Sequence, residues 1–586
     1  MARRRFAPSI NLPDRLVAGI LSFALVSLSI AALAPSIGSS ENFVEPTPGP
    51  PPPRGYVEGV LGRATNASPF GARSAADRAL VALLFRGLVT LGPDSSIVGD
   101  LASRWEVSED AGTWTFHLRP NLTWQDGEPI TADDVAFTVS VLSDPSYTGP
   151  GAESWRDVTA TALDPLTVAL HLTTPLGRFL QSATQPIAPA HLLAGIPPEE
   201  LPDDPFGAQP IGSGPYRLLF LEAGRASLQA ATAIEPAEEP GGPNFVTPRP
   251  TDSLASAAPT ARADLAVPFI SSFELRYFDD LDSLVAAWGD GELDAVSGVQ
   301  PADVATLQAA APGRLVQYPG TTLLAATLDL RPTRSEFRDP RVRKALLESI
   351  DRDAIVRDVL HNLGSRADSL IPSSSPMFDA AASAPIRFDP AAARKDLTDA
   401  GWKPGDVSWT PKDAKDPLVI EVLCPEEVAN PVAYQTARLV VAAWHDMGLA
   451  ARQVPLPASE LLGTRLAHGE FQVAMVPLAI GLDPDLYGLL ASSQTRTGGS
   501  NVSGLQDVEL DKLLVAARTP VDDASRVTAY AALQARLTAQ TYVLPLAFRD
   551  EYVLFRDTVS GPEPRTVSGP GDRYWDVLTW RLADGS

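Results

Sequence analysis

One segment constrains the whole chain. Between Leu16 and Ala34 the sequence reads LVAGILSFALVSLSIAALA, nineteen residues without a charge. As a helix this run is about 28 Å long, just enough to cross the hydrocarbon of a bilayer. Arg3, Arg4, Arg5 and Arg15 precede it, and a positive flank stays on the cytoplasmic side. Residues 1–34 therefore read as an N-terminal signal anchor, a single membrane helix with the rest of the chain on the outer, extracellular or periplasmic, side. A cleaved signal peptide is the alternative, because Ala32 and Ala34 form an A-x-A pattern, although Pro35 obstructs cleavage directly after it. Cys424 is the only cysteine, so no lipid-bearing cysteine comes after the run and no disulfide can form within the chain. No other stretch approaches spanning length. The chain is thus neither channel nor permease, and the residues beyond the anchor must build their own core in water.

Residues 35–55 (PSIGSSENFVEPTPGPPPPRG) are rich in Pro, Gly and Ser and have no apolar period. They read as an extended linker that holds the folded part away from the membrane. Beyond Tyr56 more than 500 residues remain, enough for several domains. The formal charge is −24, and such a field repels phosphate backbones, so nucleic acid is not an expected partner.

Within the folded part, strand and helix signals alternate. Residues 114–119 (WTFHLR) alternate at period two, and Asp164 to Leu172 (DPLTVALHL) reads as another strand. Thr131 with Asp134 three residues on has capping-box spacing, with Val135, Val139 and Leu142 on one face of the helix it opens. A second helix begins after Asp280, with Leu281, Leu284, Val285 and Trp288 on one side and Gly289 as its stop. Asp339-Pro340 and Asp389-Pro390 open two more helices, Asp as the cap and Pro at the first helical position. Residues 234–266 have little apolar content and read as an exposed, flexible insertion. The fold class is α/β (or α+β), in several domains.

Motifs of catalysis are missing from the sequence. There is no G-x-S-x-G elbow, no phosphate-binding loop, no G-x-G-x-x-G and no H-E-x-x-H. The six histidines lack metal-ligand spacing, and a lone cysteine makes no metal cluster. Paired acids such as Asp133-Asp134 and Asp279-Asp280 fit helix starts. Asp483 and Asp485 flank a proline in an apolar neighbourhood, which is less ordinary, but no convergent acid–base partner is visible. No catalytic residue, metal or cofactor is expected.

A series of segments, taken in order, carries the informative signal. Asn66-Ala-Ser-Pro69 and Leu84-Phe-Arg-Gly-Leu88 come first. Asp100-Leu-Ala-Ser-Arg-Trp-Glu-Val-Ser108, Thr115-Phe-His-Leu-Arg119, Trp124-Gln-Asp-Gly127 and Ile130-Thr-Ala-Asp-Asp-Val135 come next. Further on stand Pro210-Ile-Gly-Ser-Gly-Pro-Tyr216, Gly291-Glu-Leu-Asp294, Arg338 to Asp351 (RDPRVRKALLESID) and Asp389 to Trp402 (DPAAARKDLTDAGW). The series closely resembles the extracellular solute-binding proteins of ABC importers, in the family of dipeptide, oligopeptide and nickel binders. It spans roughly residues 56–555. The segments themselves are turns, caps and packing residues, so they mark the scaffold better than the pocket.

The resemblance implies a two-lobed, periplasmic-binding-protein-like fold with an extra subdomain in lobe one. Lobe one would comprise 56–324 and 537–586, with 70–209 as the subdomain, and lobe two 325–536. Ligand would be held between the lobes, and hinge closure would present it to the permease. By position, the resemblance implies ligand contacts at Asn66, Phe70, Thr327, Asp329, Asp483, Asp485, Tyr487 and Asn501. It implies a protein that binds a small-molecule or peptide ligand and works with ABC permease subunits in the membrane, and the single apolar run and net negative charge lead us to expect a monomer. A membrane-tethered hydrolase or sensor on the same fold is the competing reading.

Overall fold

A computed structural model describes residues 55–231, 268–496 and 498–583, all within one compact unit, Arg54–Ser586. The expected anchor (1–34) and the expected insertion (234–266) lie outside the described residues, as does the linker (35–55) except Gly55. Among the described residues no helix is long and apolar enough to cross a membrane.

The frame is a twelve-stranded sheet with two long antiparallel strands in its middle, Arg314–Leu328 and Val543–Phe555. Val473–Met475, Val419–Pro425 and Ala450–Leu456 extend it on one side. Ala295–Ser297, Tyr56–Leu61, Ser272–Phe278, Arg225–Ala230 and Tyr216–Glu222 extend it on the other. Leu323 to Leu328 are all buried, apolar except for Thr327, as in a strand covered on both faces.

The two long strands carry the chain between two separate cores. Val316, Tyr318, Val553 and Phe555 pack in a cluster built from residues 56–230 and 270–318 and from the C-terminal segment. Leu324, Ala326, Leu328, Leu544, Leu546 and Ala547 pack with Val342, Leu346, Trp402 and Trp444 instead. Leu323, Ala325, Val543 and Phe548 join a third cluster with Leu490, Leu514 and Leu533. The changeover therefore lies between Tyr318 and Leu323 on one strand, and between Phe548 and Tyr552 on the other.

The pairing register breaks at that point. Tyr318 faces Glu551 and Thr322 faces Arg549, so Pro319, Gly320 and Thr321 stand opposite Asp550 alone. Pro319 has no N–H to give to the ladder. Gly320 is required by contact: a Cβ there would come 1.9 Å from the Arg549 carbonyl oxygen. The Asp550 carboxylate accepts from the Gly320 N–H at 3.0 Å and from Gln317 Nε2 at 2.6 Å, and burial raises its pKa. A smaller irregularity falls at Leu324/Ala325. Of the boundaries expected from sequence, 324/325 coincides with that second irregularity, whereas 536/537 falls within the helix Asp523–Gln540.

A separate antiparallel sheet runs in the order Ala102–Val107, Thr113–Leu118, Thr167–Leu172, Val158–Asp164. Trp114, Phe116 and Leu118 are buried in alternation, as the period-two text requires. The segment Asp164 to Leu172 is not one strand. Asp164 ends a first strand, its carboxylate accepts from the Leu166 N–H at 2.8 Å, and the chain turns at Pro165 into the second. The helix Ala132–Ser143 opens as expected, with the Asp134 carboxylate accepting from the Thr131 N–H at 2.8 Å. The helix after Asp280 runs through Gly289, and Gly291, at φ +79°, is the residue that turns left-handed beyond it. Asp339 and Asp389 cap Pro340–Glu348 and Pro390–Asp399.

Candidate functional site

The loop containing Asp483, Pro484 and Asp485 begins beside the crossing strands. It leaves the short strand Leu478–Ala479, which pairs with Thr322 and Leu323 directly after the register break. The Ile480 N–H donates to the Thr321 carbonyl at 3.3 Å. Asp485 Oδ1 accepts from the Tyr487 N–H at 3.0 Å, an Asx-type turn that sets the loop's direction. The Tyr530 hydroxyl donates to the Pro484 carbonyl. Tyr530 is buried, and its pKa is raised by that burial and then by the charge of Asp483.

Three arginines converge on the loop's two carboxylates. Arg526, from the helix Asp523–Gln540, donates to Asp483. Arg518, the last residue of Val508–Arg518, stands 3.3 Å from Asp485 Oδ2, with its guanidinium 4.4 Å from the centre of the Tyr487 ring. Arg178 comes from the other core. It precedes the short helix Phe179–Ser182, whose Phe179 is fully buried beside Trp114 and Trp155. Its guanidinium lies 3.8 Å from Asp485 and 3.9 Å from Asp483, beyond hydrogen-bond length. The Nε atoms of Arg178, Arg518 and Arg526 are all buried without a hydrogen-bond partner.

Backbone contact reinforces the junction. The Gly177 N–H donates to the Arg518 carbonyl at 3.0 Å, and a Cβ at 177 would come 1.9 Å from the Pro520 oxygen. The segment before Phe179 thus meets the Asp483–Asp485 loop and the end of the helix Val508–Arg518 both through a backbone pair and through the Arg178 charge. This junction joins residues of the first core to residues of the third.

The other expected site residues lie elsewhere. Asn66 bridges loops, donating to the Pro202 carbonyl at 2.9 Å and accepting from the Ser68 N–H at 2.8 Å. Phe70 is fully buried, edge-on to Phe137 and Tyr147. Thr327 is buried in its strand between Ala474 and Val543. Asp329 lies nine residues past Gly320, about 30 Å along an extended chain. Its carboxylate takes up Arg331 at 2.9 Å and Arg334 at 3.3 Å. Asn501 is buried, donating to the Ala491 and Leu505 carbonyls at 3.0 and 3.1 Å while accepting from Ser503 at 2.7 Å. Asp483, Asp485 and Tyr487 are the expected residues that the structure brings together with charge. Sequence reading missed Arg178, Arg518 and Arg526. None sits in a motif, and Arg178 meets the loop only through tertiary folding.

Among the described residues no group of three or more His, Cys, Asp or Glu side chains is placed to share a metal ion. Cys424 is buried, its thiol pKa is raised by that burial, and Gln453 donates to its Sγ at 3.3 Å.

Residues 96–500 match the family described as bacterial extracellular solute-binding proteins, family 5 Middle. A protein of Brucella ovis named for ABC-transporter peptide binding is 27% identical over 448 residues, covering 74% of this chain and 76% of its own. The dipeptide-binding protein of Escherichia coli is 26% identical over 499 residues, 80% of this chain and 84% of its own. Among solved structures, the oligopeptide-binding protein AppA of Bacillus subtilis, in complex with a nonapeptide, aligns with a TM-score of 0.69 at 20% identity. That alignment covers 90% of this chain and 99% of AppA. NikZ of Campylobacter jejuni, in complex with Ni(L-His), gives the same TM-score, identity and coverage. These likenesses show a mixed α/β, two-lobed, periplasmic-binding-protein-like fold.

Proposed function

The chain belongs to the bacterial extracellular solute-binding proteins of family 5, and from that premise we propose that it is the solute-binding component of an ABC importer. It captures a peptide, or an organic solute of similar size, between its two lobes and delivers it to the permease subunits by closing around it. Family membership puts the folded part outside the cytoplasmic membrane. Pro35, directly after the Ala32-x-Ala34 pattern, supports a retained anchor over cleavage.

The observation that carries this reading is the pair of strands that crosses between cores and loses its register at one point. Pro319–Thr321 against Asp550 is where two rigid bodies can rotate with the fewest ladder bonds lost. We place the pivot there, so that lobe two comprises about residues 322–548. The junction of Arg178 with Asp483 and Asp485 then closes the cleft, and Asp483, Asp485 and Tyr487 line its lobe-two wall. Asn66, Phe70, Thr327, Asp329 and Asn501 hold the scaffold, because their polar atoms or rings are committed to their own neighbourhoods.

The test is native mass spectrometry of the purified full-length chain, which should carry a co-purified solute that is released on mild unfolding. That solute, returned to the protein, should come back at unchanged mass. A changed mass would establish a hydrolase, and a chain that holds no solute and takes none from peptide mixtures would end the reading.

A further inference from the structure

We propose that the segment 176–178 is a releasable catch: it engages the loop of Asp483 and Asp485 and the end of the helix Val508–Arg518 when the lobes are shut, and so scales the affinity for every solute by one common factor without choosing among solutes. The catch presupposes the two-lobed, solute-binding reading above and adds a control on its opening.

The charges are arranged so that the contact can come apart. Each aspartate has an arginine of its own: Arg526 donates to Asp483, and Arg518 stands 3.3 Å from Asp485. These four residues lie beside the third core, whereas Arg178 is fixed on the first by the fully buried Phe179 that follows it. Arg178 adds a third positive charge, 3.9 Å from Asp483 and 3.8 Å from Asp485. At those distances the attraction is Coulombic, with no direct hydrogen bond to break. Breaking a buried ion pair is expensive because it strands a charge. Here withdrawal of Arg178 leaves two carboxylates with two guanidinium groups, and Arg178, 15% exposed when engaged, passes into water.

The backbone contact has the same character. Arg518 ends its helix, so its carbonyl has no partner within that helix. The Gly177 N–H donates to it at 3.0 Å, and water replaces that donor when the two bodies part. A Cβ at 177 would come 1.9 Å from the Pro520 oxygen and 2.9 Å from the Thr519 oxygen. Yet the Gly177 backbone is not left-handed, so its own segment does not require glycine. The small residue serves the approach across the contact.

A contact made in one form only shifts the equilibrium between open and closed by the same amount whatever is bound. The affinity of any solute held by the closed form changes with that form's population, and by the same factor. A side chain that touches the solute behaves differently, because its removal alters some affinities more than others. Uniform weakening is the signature of a catch.

The experiment uses the full-length chain with nitroxide labels on Thr161→Cys and Val515→Cys, exposed positions beside the first and third cores; Cys424 is buried and stays unlabelled. Pulsed electron paramagnetic resonance reads the distance between the labels without solute. Arg178→Gln and Gly177→Ala should each lower the ratio of short to long distances at least threefold, while Arg178→Lys, which keeps the charge, stays within twofold of the parent. None should lower the melting temperature by more than a few degrees. In a second arm, native mass spectrometry reads retention from an equimolar mixture of tripeptides built of uncharged residues. Arg178→Gln and Gly177→Ala should retain the same tripeptides in the same order, each at least threefold less. A distance distribution untouched by both substitutions overturns the catch, and so does a changed order of retention, which would put Arg178 against the solute. Retention of no tripeptide by the parent chain overturns the peptide-sized-solute reading instead, and the distances still decide the catch.

Discussion

Glu58 and Arg573 are both buried, and they meet at 2.6 Å in the first core. Ser297 at 2.5 Å and Tyr56 at 3.0 Å also donate to the Glu58 carboxylate. Burial works against the Arg573 charge, but Glu58 outweighs it and holds the guanidinium protonated. Removing one partner leaves an uncompensated charge in the core. Glu58→Gln should therefore lower unfolding free energy by about 3–5 kcal/mol, read from urea denaturation, whereas the double replacement by methionine should cost much less. Asp576 carries a pH signature of its own. Burial pushes its pKa up to about 6, even though Trp580 Nε1 donates to it at 2.7 Å and the Glu563 N–H at 2.8 Å. The folded pKa lies above the unfolded one, so the folded state binds more protons between about pH 4 and 6. Stability from this group is full below about pH 4 and is lost as pH rises through about 6, on the order of 2–3 kcal/mol. Melting curves across that range should show the decline, and Asp576→Asn should flatten it.

At the scale of elements, helix starts were the most legible feature. Asp339-Pro340 and Asp389-Pro390 did what a cap and a first-turn proline do anywhere, because both effects are local. Helix and strand ends were less legible. Gly289 looked like a stop, yet it sits in open space on the last helical turn, and the left-handed position falls two residues later. The crossing strands are where one residue governs an element. With 1.9 Å between a Cβ at 320 and the Arg549 oxygen, Gly320→Ala forces the two strands apart. The variant should lose about 1–3 kcal/mol of stability and show altered lobe opening by small-angle scattering. Unchanged scattering together with full stability would remove Gly320 from the pivot.

The whole molecule is expected to behave as a clamp. Saturating it with its co-purified solute should reduce the radius of gyration and raise the melting temperature with dose, since ligand bound to the folded state alone stabilises it by mass action. A radius that does not change at saturation would contradict closure. The folded unit, residues 56–586, should run as a monomer by light scattering, in keeping with its net negative charge.

The sequence alone determined the class of the fold, the order of its segments and the absence of known catalytic motifs. Each of these depends on local period, capping chemistry or short motifs, which act over a few residues. It also singled out Asp483-Pro-Asp485, because two acids around a proline in apolar text are unusual wherever they occur. It did not reveal that Asp329 is consumed by Arg331 and Arg334, nor that Phe70 and Asn501 are committed to packing and loop bonds. Only the tertiary structure decided that Arg178, beside the first core, meets Asp483 and Asp485, beside the third. That meeting depends on two strands crossing between cores, and electrostatic partnership between residues hundreds of positions apart leaves no periodicity in the chain for a reader to find.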